Sequence, residues 1–130
     1  MERILKLFQI TLVVPDYDTA IAFYRDRMGF ELVEDTDLGQ GKRWVVVRPG
    51  AAGADILLAR AVSDPQIRSI GNQTGGRVAF FLESDDFAAD HARLTAAGVT
   101  FLEAPRHESY GSVVVFEDPF GNKWDLIQRA

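Results

Sequence analysis

Residues 8–30, FQITLVVPDYDTAIAFYRDRMGF, decide the fold, because they join a strand to a helix and the same order of elements returns later in the chain. Apolar side chains alternate through the first seven of these residues, which predicts a strand. Pro15-Asp16 stops the strand, and Asp16 or Asp18 can cap a helix whose apolar residues recur at helical spacing. Gly29 is placed to end that helix. The stretch therefore predicts a strand–helix unit.

The second half of the chain repeats this order of elements. Further strands are predicted over 30–33, 43–48, 55–59, 77–83, 99–102, 112–117 and 123–128, with a second helix that ends at Gly98. Gly29 and Gly98 lie 69 residues apart, and Trp44-Val45-Val46-Val47 aligns with Val113-Val114-Val115-Phe116 at the same separation. A repeated order of elements indicates an internal duplication. We therefore predict an α+β fold in which two βαβββ units form a curved mixed β-sheet around a cavity, with the helices on the outer face.

The predicted organisation is one domain over residues 1–130. Repeat one covers about 5–60, a connector about 61–76 and repeat two about 77–130. The length of 130 residues favours a single domain, and 47% hydrophobic with 25% charged residues is typical of a globular protein. The net charge of −5 argues against a duplex nucleic-acid binder.

Several other classes of protein are excluded by composition. The chain has no cysteine, which excludes disulfides and thiol catalysis. It has no apolar stretch near the roughly 18 residues that a membrane-spanning helix needs. Its N-terminus lacks the apolar core and cleavage site of a signal peptide. We expect a cytoplasmic protein without a nucleic-acid or membrane partner.

The alternation of the strands predicts where a ligand would bind. The face of each first strand that does not carry the large apolar residues holds Gln9 in unit one and Arg77 in unit two. Burying either side chain without a partner costs several kcal/mol, so this face is expected to line a solvent-accessible concavity. If Trp124 faces the helices as core, the same period places Asp125 in that concavity. Gln9, Arg77 and Asp125 are thus predicted to share one hollow.

Two groups of motifs indicate a family. The first is Val14-Pro15-Asp16 with Ala22-Phe23-Tyr24 and Met28-Gly29-Phe30, and the second is residues 118–126, DPFGNKWDL. With these motifs the chain resembles the vicinal oxygen chelate superfamily, which includes glyoxalase I, bleomycin-resistance proteins and extradiol dioxygenases. The resemblance implies a small-molecule ligand and a symmetric homodimer. Residues 72–78 and 57–61 also resemble small bacterial members without a firmly assigned reaction, so the fold is implied more strongly than an activity.

The resemblance also implies four possible metal-ligand positions. They fall on Gln9, at or near Ile56 with Asp55 and Leu57 beside it, on Arg77 and on Asp125. Gln9 and Asp125 could ligate an oxygen-loving metal. Ile56 has no donor atom, and the guanidinium of Arg77 stays protonated and would repel a cation. No cofactor is therefore predicted, and a divalent metal, though possible, is disfavoured; Arg77 is expected to take the metal's place by pairing with Asp125 or binding an oxyanion.

Alternatives stay open for each candidate residue. The predicted ligand-binding residues are Gln9, Trp44, Arg77, Phe81, Tyr110 and Asp125. Each has a structural alternative: Gln9 can bond a neighbouring strand, Arg77 can form an ion pair with Asp125 or Asp55, and Trp44 can fill core. The candidate catalytic residues are Asp125, His107 and Glu108, although the last two fall in a predicted mobile loop over 105–111. His91 is read as a solvated helix residue.

Two functions follow from these observations. The first is a metal-independent protein of the glyoxalase/bleomycin-resistance type that sequesters or senses a small molecule. The second is a lyase, isomerase or dioxygenase-like enzyme that acts on a small oxygenated metabolite. The incomplete set of metal ligands favours the first.

Overall fold

The structure, a computed structural model, describes residues 3–130. Its first unit builds a four-stranded mixed sheet. The elements are β1 (Gln9–Val14), α1 (Tyr17–Ile21, continued as a π-helix over Ala22–Arg27), β2 (Glu31–Gly39), β3 (Lys42–Arg48) and β4 (Asp55–Arg60). The strand order is β1-β4-β3-β2, with β1 parallel to β4.

The second unit builds a five-stranded sheet after a connector that contains α2 (Asp64–Ser69). Its elements are β5 (Val78–Glu83), α3 (Phe87–Ala96), β6 (Thr100–Phe101), β7 (Arg106–Glu108), β8 (Gly111–Glu117) and β9 (Lys123–Arg129). The order is β5-β9-β8-β6, and β7 also pairs with β8. The predicted α+β class with two mixed-sheet units is confirmed, and the sheet is divided into two. No helix within residues 3–130 is long and apolar enough to cross a membrane.

Helix α1 begins and ends where local chemistry predicts. Asp16 caps it by accepting hydrogen bonds from the Thr19 amide at 2.8 Å and from the Thr19 hydroxyl at 2.7 Å. Its last turns widen, since the Met28 amide donates to the Phe23 carbonyl oxygen five residues back. Gly29, at a φ of +79°, then allows the chain to leave the helix.

One hydrophobic core is shared by both units. Leu12 and Leu58 of the first sheet and Trp124 and Leu126 of the second are at most 2% exposed, and Tyr24 of the π-helix lies among them. Trp124 is therefore core, as predicted. Because successive side chains of a strand point to opposite sides, the intervening residues lie on two outward faces. Face A, on the four-stranded sheet, carries Gln9, Thr11, Val13, Trp44, Asp55, Leu57 and Ala59. Face B, on the five-stranded sheet, carries Phe81, Arg106, Glu108, Val113, Val115, Asp125 and Ile127.

The turn between β8 and β9 locks the two units together. The buried carboxylate of Asp118 accepts hydrogen bonds from the Tyr24 hydroxyl at 2.6 Å and the Asn122 side-chain amide at 2.7 Å. It also accepts from the backbone amides of Phe120 and Asn122, both at 2.9 Å. The Trp124 indole N–H donates to the Tyr24 hydroxyl oxygen at 3.2 Å. Burial, together with the charge of Asp118, raises the pKa of Tyr24 well above its usual range. The turn has the structural role that its sequence indicates.

Two segments differ from the sequence-based boundaries. β2 continues to Gly39, although only residues 30–33 were predicted as a strand. Residues 106–108 form a strand, although 105–111 were predicted as a loop. Both extensions are held by a neighbouring strand, since Asp35 pairs with Val45 and His107 with Ser112.

Candidate functional site

A cavity opens at one end of face A. It has a volume of about 550 Å³ and lies between the β2–β3 turn and the β4–α2 connection, a region that we call the sheet-end cavity. Its volume falls in the range of about 300–1,000 Å³ that is usual for small-molecule sites. It is lined by Thr11, Val13, Tyr17, Leu38, Gly39, Gln40, Lys42, Arg43, Trp44, Leu57, Leu58, Ala59, Arg60, Val62 and Gln66. Trp44, half-buried, is thus placed on a cavity wall.

Aromatic and cationic side chains meet at one end of this cavity. The guanidinium carbons of Arg43 and Arg60 lie 5.2 and 5.8 Å from the ring centre of Tyr17. Arg43 also binds Asp18 and Asp35, each at 2.8 Å. The hydrogen bond from Arg43 holds the pKa of Asp35 below its usual range. No pattern in the sequence indicated Tyr17, Arg43 or Arg60 as residues of a site.

Gln9 lies on face A beside an ion pair. It pairs in register with Asp55, whose carboxylate binds the Arg48 guanidinium at 2.8 and 3.0 Å. This hydrogen bond lowers the pKa of Asp55. Among residues 3–130 Asp55 forms its ion pair with Arg48 and none with Arg77. Gln9 itself is half-buried and close to the edge of the sheet.

Face B contains a carboxylate with unused hydrogen-bonding capacity. Asp125 is half-buried, and its Oδ1 is buried without a hydrogen-bond partner among the residues that the structure describes. Burial raises the pKa of Asp125, although the nearby charge of Arg106 opposes the effect. Glu103 holds Arg106 through bonds of 3.0 and 3.1 Å. The sequence did not indicate that Arg106 and Glu103 lie near Asp125. β7, which contains Arg106, shows no apolar alternation, and Glu103 lies in the loop before it.

Arg77 is separated from the positions with which it was expected to act. It precedes β5 and is exposed, and a register shift between Val78 and Phe80 interrupts the alternation on which its predicted orientation depended. Within residues 3–130 it forms no ion pair with Asp125. Cavities of about 1010 and 550 Å³ are present, and neither is lined by Gln9, Arg77 or Asp125. Since Gln9 belongs to the other sheet, one chain does not bring the three into a shared hollow.

His91 lies in α3, and His107 lies on the side of the second sheet that faces this helix. The Nδ1 of His107 is 2.9 Å from the Ser112 hydroxyl oxygen, and its ring centre is 6.4 Å from that of Phe87. His91 stacks on Phe87 at 6.1 Å and contacts Phe101 at 4.5 Å. His91 lies in the helix as predicted, but it is half-buried and packs against two aromatic rings, so it is only partly exposed to solvent. His107 and Asp125 lie on opposite faces, so the structure does not bring them together.

The remaining candidates lie on face B or at its rim. Phe81 pairs in register with Asp125 and is 68% exposed. Tyr110, in the β7–β8 turn, is 50% exposed. Glu108 lies 3.6 Å from Arg106. Face B thus carries the Phe81 ring, the Asp125 carboxylate with its unpartnered oxygen, and the Arg106 guanidinium.

The residues at the four metal-ligand positions do not fit a divalent ion. The second position was predicted at or near Ile56, and of the residues there Leu57 points to face A, where it pairs in register with Thr11. Ile56 is 2% exposed and faces the core. Leu57 has no donor atom either. Nowhere in the described chain do three or more His, Cys, Asp or Glu side chains group as metal ligands would.

Comparison with known proteins places this geometry in a family. Residues 6–126 match the Glyoxalase/Bleomycin resistance protein/Dioxygenase superfamily. A protein of Shewanella frigidimarina (strain NCIMB 400), described as uncharacterized, is 51% identical over 124 residues, which cover 94% of this chain and 92% of that protein.

Two solved structures are similar to this chain over nearly its whole length. UcmS2 is 28% identical, with a TM-score of 0.82 over 96% of this chain and 98% of that one. TnmS3, an antibiotic binding protein from Streptomyces sp. CB03234, is 28% identical, with a TM-score of 0.79 over 100% of both chains. The chain therefore belongs to the Glyoxalase/Bleomycin resistance protein/Dioxygenase superfamily.

Proposed function

We propose that the chain is a cytoplasmic protein that binds a small organic molecule and holds it without a divalent metal, in the manner of bleomycin-resistance proteins. The observation that carries this proposal is the sheet-end cavity, which combines the indole of Trp44 with apolar walls and a few polar groups. The likeness to TnmS3, which is an antibiotic binding protein, supports the same class of ligand.

The side chains at the four family positions support metal independence. A divalent ion in this family needs several donors, whereas this chain offers Gln9 and Asp125 on separate sheets. Leu57 contributes no donor, and Arg77 contributes a positive charge. Binding would then depend on packing and hydrogen bonds alone.

A second copy of the chain would cover the exposed side chains of face B. Face B leaves Phe81 and Tyr110 exposed, and β5 forms an open edge of its sheet. The edge of β1 is occupied, because the Gln73 side-chain amide accepts from the Val13 amide and donates to the Thr11 carbonyl oxygen. We therefore expect a symmetric dimer held by side-chain packing on face B. Its test is the mass in solution of the wild type and of Phe81→Lys, which should be dimer and monomer respectively.

One observation favours an enzyme as the second candidate. The partly buried Asp125, with one unpartnered oxygen and a raised pKa, has the features of a general base in a lyase or isomerase. Neither histidine can assist it, since both lie on the other side of the sheet. An enzyme of this kind would lose its turnover in Asp125→Asn while it kept its affinity for substrate.

The proposal is tested by measuring the binding of metal ions and of organic ligands separately. Purified protein is analysed for metal content and then titrated with Mn²⁺, Ni²⁺, Zn²⁺ and Fe²⁺. Metal-free protein is also screened by thermal unfolding against aromatic antibiotics and metabolites. We expect substoichiometric metal, no stabilisation by the ions, and a ligand that stabilises by about 2.7 kcal/mol at a hundred times its Kd.

A matched pair of variants locates the binding. Trp44→Ala should abolish the stabilisation, whereas Ile67→Ala, which removes an exposed side chain of α2 outside the cavity lining, should keep it. A stoichiometric, tightly held ion would contradict the proposal, and so would equal binding by the two variants.

A further inference from the structure

The sheet-end cavity has a charge opposite to that of the whole protein. The chain carries a net charge of −5. The cavity nevertheless has three cationic residues in its lining, Lys42, Arg43 and Arg60, and no aspartate or glutamate. A cavity lined by charges of one sign raises the local concentration of ligands that carry the opposite charge.

The three cations differ in how far they are already neutralised. Arg43 forms ion pairs with Asp18 and Asp35, each at 2.8 Å, so its charge is already neutralised by two carboxylates. Arg60 has no carboxylate within ion-pair distance and no side-chain hydrogen bond to the described part of the chain. A guanidinium presents five N–H donors, and those of Arg60 remain open to a ligand.

Arg60 is also held in place. Its guanidinium carbon lies 5.8 Å from the ring centre of Tyr17, which is buried. The guanidinium also lies beside the β2–β3 turn, where a Cβ on Gly41 would come within 3.4 Å of its nitrogen Nη2. A planar group that already packs near a ring and a turn loses less entropy when it binds an oxyanion than a freely moving one does.

We infer that the sheet-end cavity selects an anionic small molecule, whose apolar planar body packs against Trp44 and whose carboxylate, sulfonate, phosphate or phenolate group binds Arg60. Lys42, on the same lining, adds a second positive charge. This assigns the anion anchor to Arg60 of the first unit instead of Arg77 of the second. The inference rests on the proposed function, because it names the class of ligand for that site.

The test uses two dyes that differ by one charged group. 1-Anilinonaphthalene-8-sulfonate is anionic, and N-phenyl-1-naphthylamine has the same aromatic body without the sulfonate. Fluorescence titration gives the Kd of each dye for the wild type, Arg60→Gln, Arg60→Lys and Arg68→Gln. The last variant removes the same charge from an exposed residue of α2 outside the cavity lining.

We expect the wild type to bind the anionic dye roughly tenfold more tightly than the neutral one. Arg60→Gln should remove that preference and leave the neutral dye within about twofold, whereas Arg60→Lys should keep part of it. Arg68→Gln should change neither Kd by more than about twofold.

The outcomes separate the two levels of the proposal. If the wild type binds both dyes equally, or if Arg60→Gln and Arg68→Gln weaken the anionic dye alike, the anion inference is overturned while small-molecule binding stands. If neither dye binds the wild type, the proposed function fails as well. If Arg60→Gln does not fold, the comparison of the two dyes in the wild type still tests the anion preference, and Arg60→Lys tests its position.

Discussion

We expect the buried Tyr24 hydroxyl to stabilise the fold, because it joins the first unit to the second by hydrogen bonds to Asp118 and Trp124. Tyr24→Phe deletes the group that donates to the Asp118 carboxylate at 2.6 Å and accepts from the Trp124 indole at 3.2 Å. Tyr24 and Trp124 are at most 2% exposed, so water cannot replace the lost partner without rearrangement. The ring itself stays, and packing changes little.

The size of the effect follows from the two bonds. A hydrogen bond to a charged group contributes about 1.5–3 kcal/mol, and a buried donor left without a partner costs about 1–3 kcal/mol. Since Asp118 keeps its three other bonds, we expect a combined loss of about 3 kcal/mol. That is a large part of the roughly 5–15 kcal/mol by which such domains are stable.

Urea unfolding followed by far-UV circular dichroism measures this loss. The midpoint should fall without a change in slope. Tyr110→Phe, at a half-exposed ring, is the control and should cost less than about 0.5 kcal/mol. The double variant Tyr24→Phe/Trp124→Phe should lose about 1 kcal/mol less than the two single variants lose together. The reason is that the double variant has no indole N–H left unpaired. A loss below about 1 kcal/mol in Tyr24→Phe would refute the reasoning.

Three further predictions concern stability. Gly71 and Gly75 have nearly the same φ, at +69° and +67°. A Cβ on Gly71 would lie 1.9 Å from a carbonyl oxygen of the β8–β9 turn, whereas a Cβ on Gly75 would have no atom within 4 Å. Gly71→Ala should therefore lower the free energy of unfolding by at least about 2 kcal/mol more than Gly75→Ala; equal losses would contradict this. Burial raises the pKa of Asp125, so its ionisation opposes folding as the pH rises through that pKa. Asp125→Asn should accordingly gain more stability over wild type at pH 7 than at pH 3 in urea titrations, and a loss at pH 7 would count against it. Gln73→Ala should speed hydrogen exchange of the Val13 amide at the uncovered edge of β1, and unchanged protection would show that the cap is not needed.

Local signals made most of the fold predictable. The alternation of residues 8–14, the cap at Asp16 and the glycine at 29 act over a few residues, and each was found where expected. The far half of β2 was not predictable, because its polar and exposed residues are held as a strand by β3. The same holds for β7, which depends on β8.

The candidate site was predictable only where regular alternation continued. Phe81 and Asp125 lie on the face that period two assigns to them, whereas alternation alone left Trp44 open between core and ligand contact. Arg77 does not follow the rule, because the register shift at β5 breaks the period. The position of Arg60 depends on the β2–β3 turn and on the Tyr17 ring, which approach it through folding and leave no pattern in the sequence.

The most direct test of ligand binding at the sheet-end cavity is the response of the two tryptophan indole N–H signals in a ¹⁵N-correlated NMR spectrum. The chain has two tryptophans, one on the cavity wall and one in the core. Addition of N-phenyl-1-naphthylamine should shift the signal of Trp44, identified by its absence in Trp44→Phe, and leave that of Trp124 in place. A dye that binds without moving the Trp44 signal, or that moves only the Trp124 signal, would contradict the account.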